Sequence, residues 1–196
     1  MTMTHKSVRP HKLSPNAALC ISSTYNPIGS ESPAIEAMTD FSRVSAVTVL
    51  PNTLMSEANA AMISRGVRLL LVTREDGTLA GLVTARDTFG EKPMQVVQAR
   101  GLKHAELQVA DVMTPLEAID TLHFREVVYA TVADILEALK HLGRQHILVE
   151  DVDPLTGQPR IRGIFSATQI GRLLGVPVQG FDTARTFAEI ETALAA

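Results

Sequence analysis

Two stretches of the chain repeat one another, and an internal repeat constrains the architecture more tightly than any local motif. The first reads Thr53-Leu-Met-Ser-Glu-Ala-Asn-Ala-Ala-Met-Ile-Ser-Arg-Gly66-Val-Arg-Leu-Leu-Leu-Val72. The second reads Ala130-Thr-Val-Ala-Asp-Ile-Leu-Glu-Ala-Leu-Lys-His-Leu-Gly143-Arg-Gln-His-Ile-Leu-Val149. Gly66 and Gly143 stand 77 positions apart, as do Val72 and Val149. Val132, Ile135, Leu136, Leu139 and Leu142 recur at helical spacing, and Met55, Ala58 and Met62 carry the equivalent stripe. The glycine after each stripe predicts a left-handed C-cap, where a missing Cβ removes the usual penalty. A helix therefore stops and a strand begins in both copies, over 69–72 and 146–149.

Second strands are predicted over 79–83 and 161–165, with Asp76-Gly77 as a hairpin turn in the first copy. The second copy has the longer loop 150–159, so the offset grows to 82 between Gly81 and Gly163. Upstream, Ala37-Met38-Thr39 matches Val112-Met113-Thr114, and 47–50 and 126–129 read as opening strands. Downstream, the polar segments Thr84-Ala-Arg-Asp87 and Ser166-Ala-Thr-Gln169 each lead into helix-like sequence. The unit is β-α-β-β-α and the fold class α/β (α+β). Glu91-Lys92-Pro93 reads as the start of a further helix, with proline in the first turn. The expected division is an irregular N-terminal arm (1–34), a first repeat with connector (35–108), a second repeat (109–178) and a C-terminal helix (179–196). In that last helix Phe187, Ile190 and Leu194 share one face, with Asp182 or Thr183 as a cap. Its apolar face is expected to cover either its own domain or, in preference, a second copy of the chain.

Composition narrows the function classes. No apolar run in the 196 residues approaches the ~20 needed to cross a bilayer, so no membrane span is expected. Lys and Arg total 18 against 21 Asp and Glu, which leaves no basic excess to attract nucleic acid. The absence of Trp and 4% aromatic content also argue against a base-stacking platform. The single cysteine, Cys20, cannot close an internal disulfide, which fits a reducing, cytoplasmic setting. The apolar group 17–21 is too short for a signal-peptide core. The 6 histidines show no metal-ligand spacing, and no nucleophile or acid/base constellation accompanies the repeats. The chain is therefore expected not to be an enzyme and to require no cofactor.

Several signals fall in register. They are Val109-Ala-Asp-Val-Met-Thr114, Gly66-Val-Arg-Leu-Leu-Leu-Val72 with Asp76-Gly77, Gly81-Leu-Val-Thr-Ala-Arg-Asp87, and Ile161-Arg-Gly-Ile-Phe-Ser-Ala-Thr-Gln169. In order and twice over, they resemble a tandem pair of CBS domains, the cystathionine-β-synthase type of regulatory module. The resemblance implies repeats packed through their sheets as a pseudo-twofold pair, and two chains joined into a homodimeric disk of four repeats. It also implies a cleft for an adenosine compound (AMP, ADP or ATP, with S-adenosylmethionine less favoured) and an unidentified protein partner that reads a conformational change.

In that resemblance the Asp87 carboxylate accepts hydrogen bonds from ribose hydroxyls, and the Thr84 hydroxyl serves phosphate or ribose. Arg86 offers a bidentate phosphate partner. Thr131, Arg144 and Gln145 of the other repeat complete the cleft. A weaker second site would use Thr53, Arg68, Ser166 and Gln169, where Gln169 replaces the carboxylate. Two plainer readings stand beside this one. Asp87 can serve simply as a helix cap, and the chain can be a structural dimerisation module with vestigial clefts.

Overall fold

The computed structural model describes residues 10, 12–18, 28–176 and 183–194. A 3-10 turn at Ala34–Glu36 leads into β1 (Thr39–Asp40), β2 (Thr48–Val49), α1 (Met55–Arg65), β3 (Leu69–Thr73), β4 (Leu79–Thr84), α2 (Ala85–Phe89) and α3 (Glu91–Arg100). The second half follows as α4 (Val109–Val112), β5 (Thr114–Pro115), β6 (Thr121–His123), α5 (Phe124–Val127), α6 (Val132–His141), β7 (His146–Val152), β8 (Pro159–Ser166), α7 (Ala167–Leu173) and α8 (Thr183–Leu194).

The helix stops fall where the glycines predict. Gly66 has φ 64° and Gly143 φ 60°. The residue after each donates its N–H back into the helix, Val67 to the Met62 carbonyl and Arg144 to that of Leu139, both at 3.0 Å. Each chain reversal aims the next strand back across its helix. Along β3, Leu70 and Val72 enter one core, and along β7 Ile147 and Val149 enter another. Leu71 and Leu148 fall on the opposite faces by strand alternation and are also buried. Burial on both faces explains why these strands read as unbroken apolar runs.

The two sheets have strand orders β2-β3-β4-β5 and β1-β8-β7-β6. Each therefore takes its outer strand from the other half of the chain. Thr39 pairs antiparallel with Ile164 of β8, and Thr114 with Leu82 of β4. The segments before these strands cross over as well. Ala34 and Met38 lie in the core around Phe165, while Leu107, Val109 and Val112 lie in the core around Leu70. The crossing chain also supplies carbonyls to helix starts: Leu107 accepts from Met55 N–H at 2.8 Å, and Ser32 from Val132 N–H at 2.9 Å. Those N–H groups have no partner inside their own helix. Complete burial of Val109 and Val112 contributes about 1.5–3 kcal/mol each, so the crossover is a substantial part of the first core.

One expected strand is overturned. The second opening strand is β6 at 121–123, not 126–129, and 124–127 form a helical turn. Thr48 pairs with Leu71 and Thr121 with Leu148. The opening strands are thus offset by 73 positions where the strands they join are offset by 77. A four-residue turn, Phe124–Val127, inserted before α6 absorbs the difference and places Val127 in the core.

The expectation for α8 is also corrected. Its Phe187 and Ile190 enter the core of the second repeat within the same chain, rather than waiting for a second copy. Cys20, the proposed cap at Asp182 or Thr183 and the side chain of Leu194 lie outside the described residues. Among the described residues no helix is long and apolar enough to cross a membrane.

Candidate functional site

Where the end of β4 meets the start of β7, a cleft opens between the two repeats. Thr84, Arg86 and Asp87 line it from the first repeat, and Arg144, Gln145 and His146 from the second. Leu69, Leu82 and Leu148 form its apolar wall. β7 enters the cleft directly after the Gly143 turn that ends α6, and β4 leaves it directly into α2, so the backbone that fixes the fold also fixes these side chains.

Thr84 and Asp87 form a reciprocal cap on α2. The Thr84 N–H and hydroxyl donate to Asp87 Oδ2 at 2.8 and 2.6 Å, and the Asp87 N–H returns to Thr84 Oγ1 at 3.4 Å. Capping thus engages one carboxylate oxygen. Oδ1 faces Lys92 Nζ at 3.9 Å, while that ammonium donates to the Met113 carbonyl at 3.1 Å. The carboxylate keeps one edge for a further donor. Arg86 and Arg144 have no ion-pair partner among the described residues, so two guanidinium groups stand unpaired on the cleft wall with Asp87.

His146 is half-buried in this wall. Desolvation, helped by the positive charge of Arg68, lowers its pKa from 6.5 to about 4, so it is a neutral imidazole at pH 7. Arg68 lies beside it and donates across the repeat boundary to the buried Thr168 hydroxyl on α7. Burial, reinforced by the Arg172 charge, lowers the pKa of its guanidinium from the ordinary value.

Thr131 is not brought to the cleft. It caps α6 with Asp134, accepting the Asp134 N–H at 3.2 Å and donating its own N–H and hydroxyl to Asp134 Oδ2 at 2.8 Å each. The pattern Thr-x-x-Asp serves two helix starts, and only the Thr84 copy faces the cleft. The residues of the expected second site are dispersed relative to this cleft. Arg68 joins the cleft, whereas Thr53, Ser166 and Gln169 do not line it. The Thr53 carbonyl accepts the Val109 N–H at 2.9 Å, and Ser166 precedes α7 without a side-chain cap bond.

Thr114, Ala118, Ile119 and Asp120 line the cleft as well and were not expected there. Thr114 arrives on the exchanged strand β5, and the other three on the segment leading to β6. Asp120 precedes β6 directly, and its counterpart at the 73-residue offset is Val47, so comparison of the repeats gives no carboxylate to notice.

Comparison with known proteins locates this arrangement. Residues 34–90 match the CBS domain family. No curated relative matches the sequence. Among solved structures, an uncharacterised conserved protein from Pyrococcus horikoshii superposes with a TM-score of 0.54 at 22% identity, covering 79% of this chain and 100% of its own. A CBS-domain protein from Agrobacterium tumefaciens has a TM-score of 0.51 at 22% identity, covering 68% of this chain and 88% of its own. CBSX2 of Arabidopsis thaliana, solved in complex with AMP, has a TM-score of 0.51 at 21% identity, covering 72% and 94%.

Proposed function

Given a tandem CBS-domain chain with the fold of a CBS pair, we propose that it is a stand-alone, non-enzymatic regulatory module that binds an adenosine nucleotide in the cleft between its repeats. One observation carries the reading: Asp87, with one carboxylate oxygen left by its cap, stands on the same cleft as Arg86 and Arg144. A carboxylate suits ribose hydroxyls, guanidinium groups suit phosphate, and the leucine wall suits adenine. AMP, ADP and ATP fit this charge pattern better than the cationic S-adenosylmethionine. The AMP complex of CBSX2, a protein of the same fold, agrees with the choice.

Because the cleft is built from both repeats, a ligand that prefers one relative arrangement of them shifts the population toward it. A protein partner in the cytoplasm would read that shift. Ile63, Phe89 and Met94, exposed on α1, α2 and α3, supply apolar surface on which a second copy would dock to form a homodimer.

The plainer reading, a structural dimerisation module with a vestigial cleft, is favoured by the Thr84–Asp87 cap, which is complete without any ligand. Calorimetric titration of AMP and ATP into the wild type and Asp87→Ala separates the two. Saturable binding weakened about tenfold or more in the variant supports the nucleotide site. Absence of binding, or equal affinity in both proteins, leaves the dimerisation module.

A further inference from the structure

We propose that α8 is a displaceable cover on the second repeat, and that its seating is coupled to the cleft through Gln145. Gln145 belongs to both places. It lines the cleft, and its Nε2 donates to Thr186 Oγ1 on α8 at 3.5 Å. Thr186 is fully buried, so a change in its hydrogen bonding is felt without screening by water.

The link is particular to the second repeat. Gln145 is the counterpart of Arg68 at the 77-residue offset, and the two backbone carbonyls accept matching bonds from Ala167 and Ala85 at 2.9 Å. Their side chains part company: Arg68 crosses to Thr168, whereas Gln145 reaches α8, an element outside both repeats.

The rest of the seating of α8 runs from the core to the surface. Phe187 and Ile190 enter the core, and Lys140 pairs with Glu191 at the surface. Between α6 and α8 a gap remains, lined by Ala133, Leu136, Phe187 and Ile190 together with the stems of Lys140 and Glu191. This recess leaves part of the α6 face beside α8 open to solvent, so the helix covers that face only in part.

A ligand that takes the Gln145 amide into its own hydrogen bonds removes it from Thr186 and loosens α8. Lifting the helix uncovers the apolar face of α6 around Leu136. Coupling is reciprocal, so weakening the Gln145–Thr186 contact also releases Gln145 for the ligand. The ligand half of this inference rests on nucleotide binding in the cleft, while the Gln145–α8 link does not.

Hydrogen exchange on the full chain tests both halves. Without ligand, Gln145→Ala is expected to speed amide exchange in α8 roughly threefold or more while α1 is unchanged. Equal α8 exchange in variant and wild type overturns the link, and Thr186→Val repeats the comparison from the other side of the bond. With AMP added to the wild type and calorimetry run on the same sample, saturable binding with faster α8 exchange is expected. Saturable binding with unchanged α8 overturns the coupling. Lack of binding overturns the nucleotide reading, and the ligand-free comparison then still decides the link. Thr186→Val should bind AMP about threefold more tightly. Equal or weaker binding overturns the reciprocity.

Discussion

Gly81 and Thr114 lie so close that a Cβ on Gly81 would stand 2.4 Å from the Thr114 carbonyl oxygen. The same relationship recurs in the other sheet, where a Cβ on Gly163 would meet the Thr39 carbonyl at 2.7 Å and the Met38 sulfur at 2.9 Å. Each glycine marks the place where a strand from the other half of the chain lies down. Neither has a positive φ, so the requirement is for space. Gly81→Ala and Gly163→Ala should each destabilise the protein by about 1–3 kcal/mol, read by urea denaturation. Gly163→Ala should cost less, because part of its contact is a flexible Met side chain. Unchanged midpoints would refute the close approach.

A second prediction concerns the tie between β1 and β8. Arg162 Nε and Nη2 donate to Asp40 Oδ1 and Oδ2 at 2.8 and 3.0 Å, and the guanidinium lies 4.7 Å from the centre of the Phe124 ring. The Arg162 bonds hold the Asp40 carboxyl well below the usual carboxylate range. A lowered folded-state pKa means that the pair's stabilisation is fully present above about pH 4 and is lost as pH falls further. Asp40→Asn should cost about 2 kcal/mol at pH 7. Its deficit relative to the wild type should shrink progressively in denaturation series run below pH 4.

His146 predicts a loss in the same direction at milder acidity. Its folded-state pKa of about 4 lies below the unfolded value of 6.5. Between these values the unfolded chain binds a proton that the folded chain refuses, so stability falls as pH drops from about 6.5 to 4. The loss is of order 3 kcal/mol at most. His146→Gln should remove most of that slope, as measured by thermal melts across the window. An unchanged slope would assign the dependence to other groups.

The exposed apolar face of α1 and α2 is tested by charge. Phe89→Glu, or Ile63→Glu, places a carboxylate on exposed apolar positions of α2 and α1 without touching either core. If these faces join two copies, sedimentation should show a dimer for the wild type and a monomer for the variants, with unchanged melting temperatures at low concentration. A wild-type monomer would remove the homodimer from the proposal.

Much of this architecture is written in local chemistry. Gly66, Gly143 and the Asp76-Gly77 turn announce the helix stops and first hairpin, and the stripes of α1 and α6 announce the two cores. The strand exchange is not written locally. β1 and β5 are two residues long, and nothing in Met38-Thr39 or Met113-Thr114 names a partner across the chain. Phe124–Val127 misleads for a related reason, since its valine-rich continuation has strand propensity and a constant 77-residue offset would place the opening strand over it. At the site, Thr84, Asp87, Arg144 and Gln145, expected from the family resemblance, line one cleft. Thr131 shares the Thr-x-x-Asp signature yet caps a helix elsewhere, because one motif serves any helix start. Asp120 has no counterpart in the other repeat to draw attention to it.

The exchanged outer strands also set the order of assembly. During synthesis β1 emerges early, but its partner β8 is among the last strands made, and Thr39 must wait for Ile164. The core around Phe165 likewise needs Ala34 and Met38 from the start of the described chain and Ile170 from near the end. The first sheet and its core can close once residue 115 has been made, whereas the second must wait for β8. Closure of the second spans nearly the whole sequence, a high contact order that slows folding and leaves apolar edges open meanwhile. The halves would be unsuited to expression as separate pieces, yet co-expressed they should find each other, since each carries the strand the other lacks.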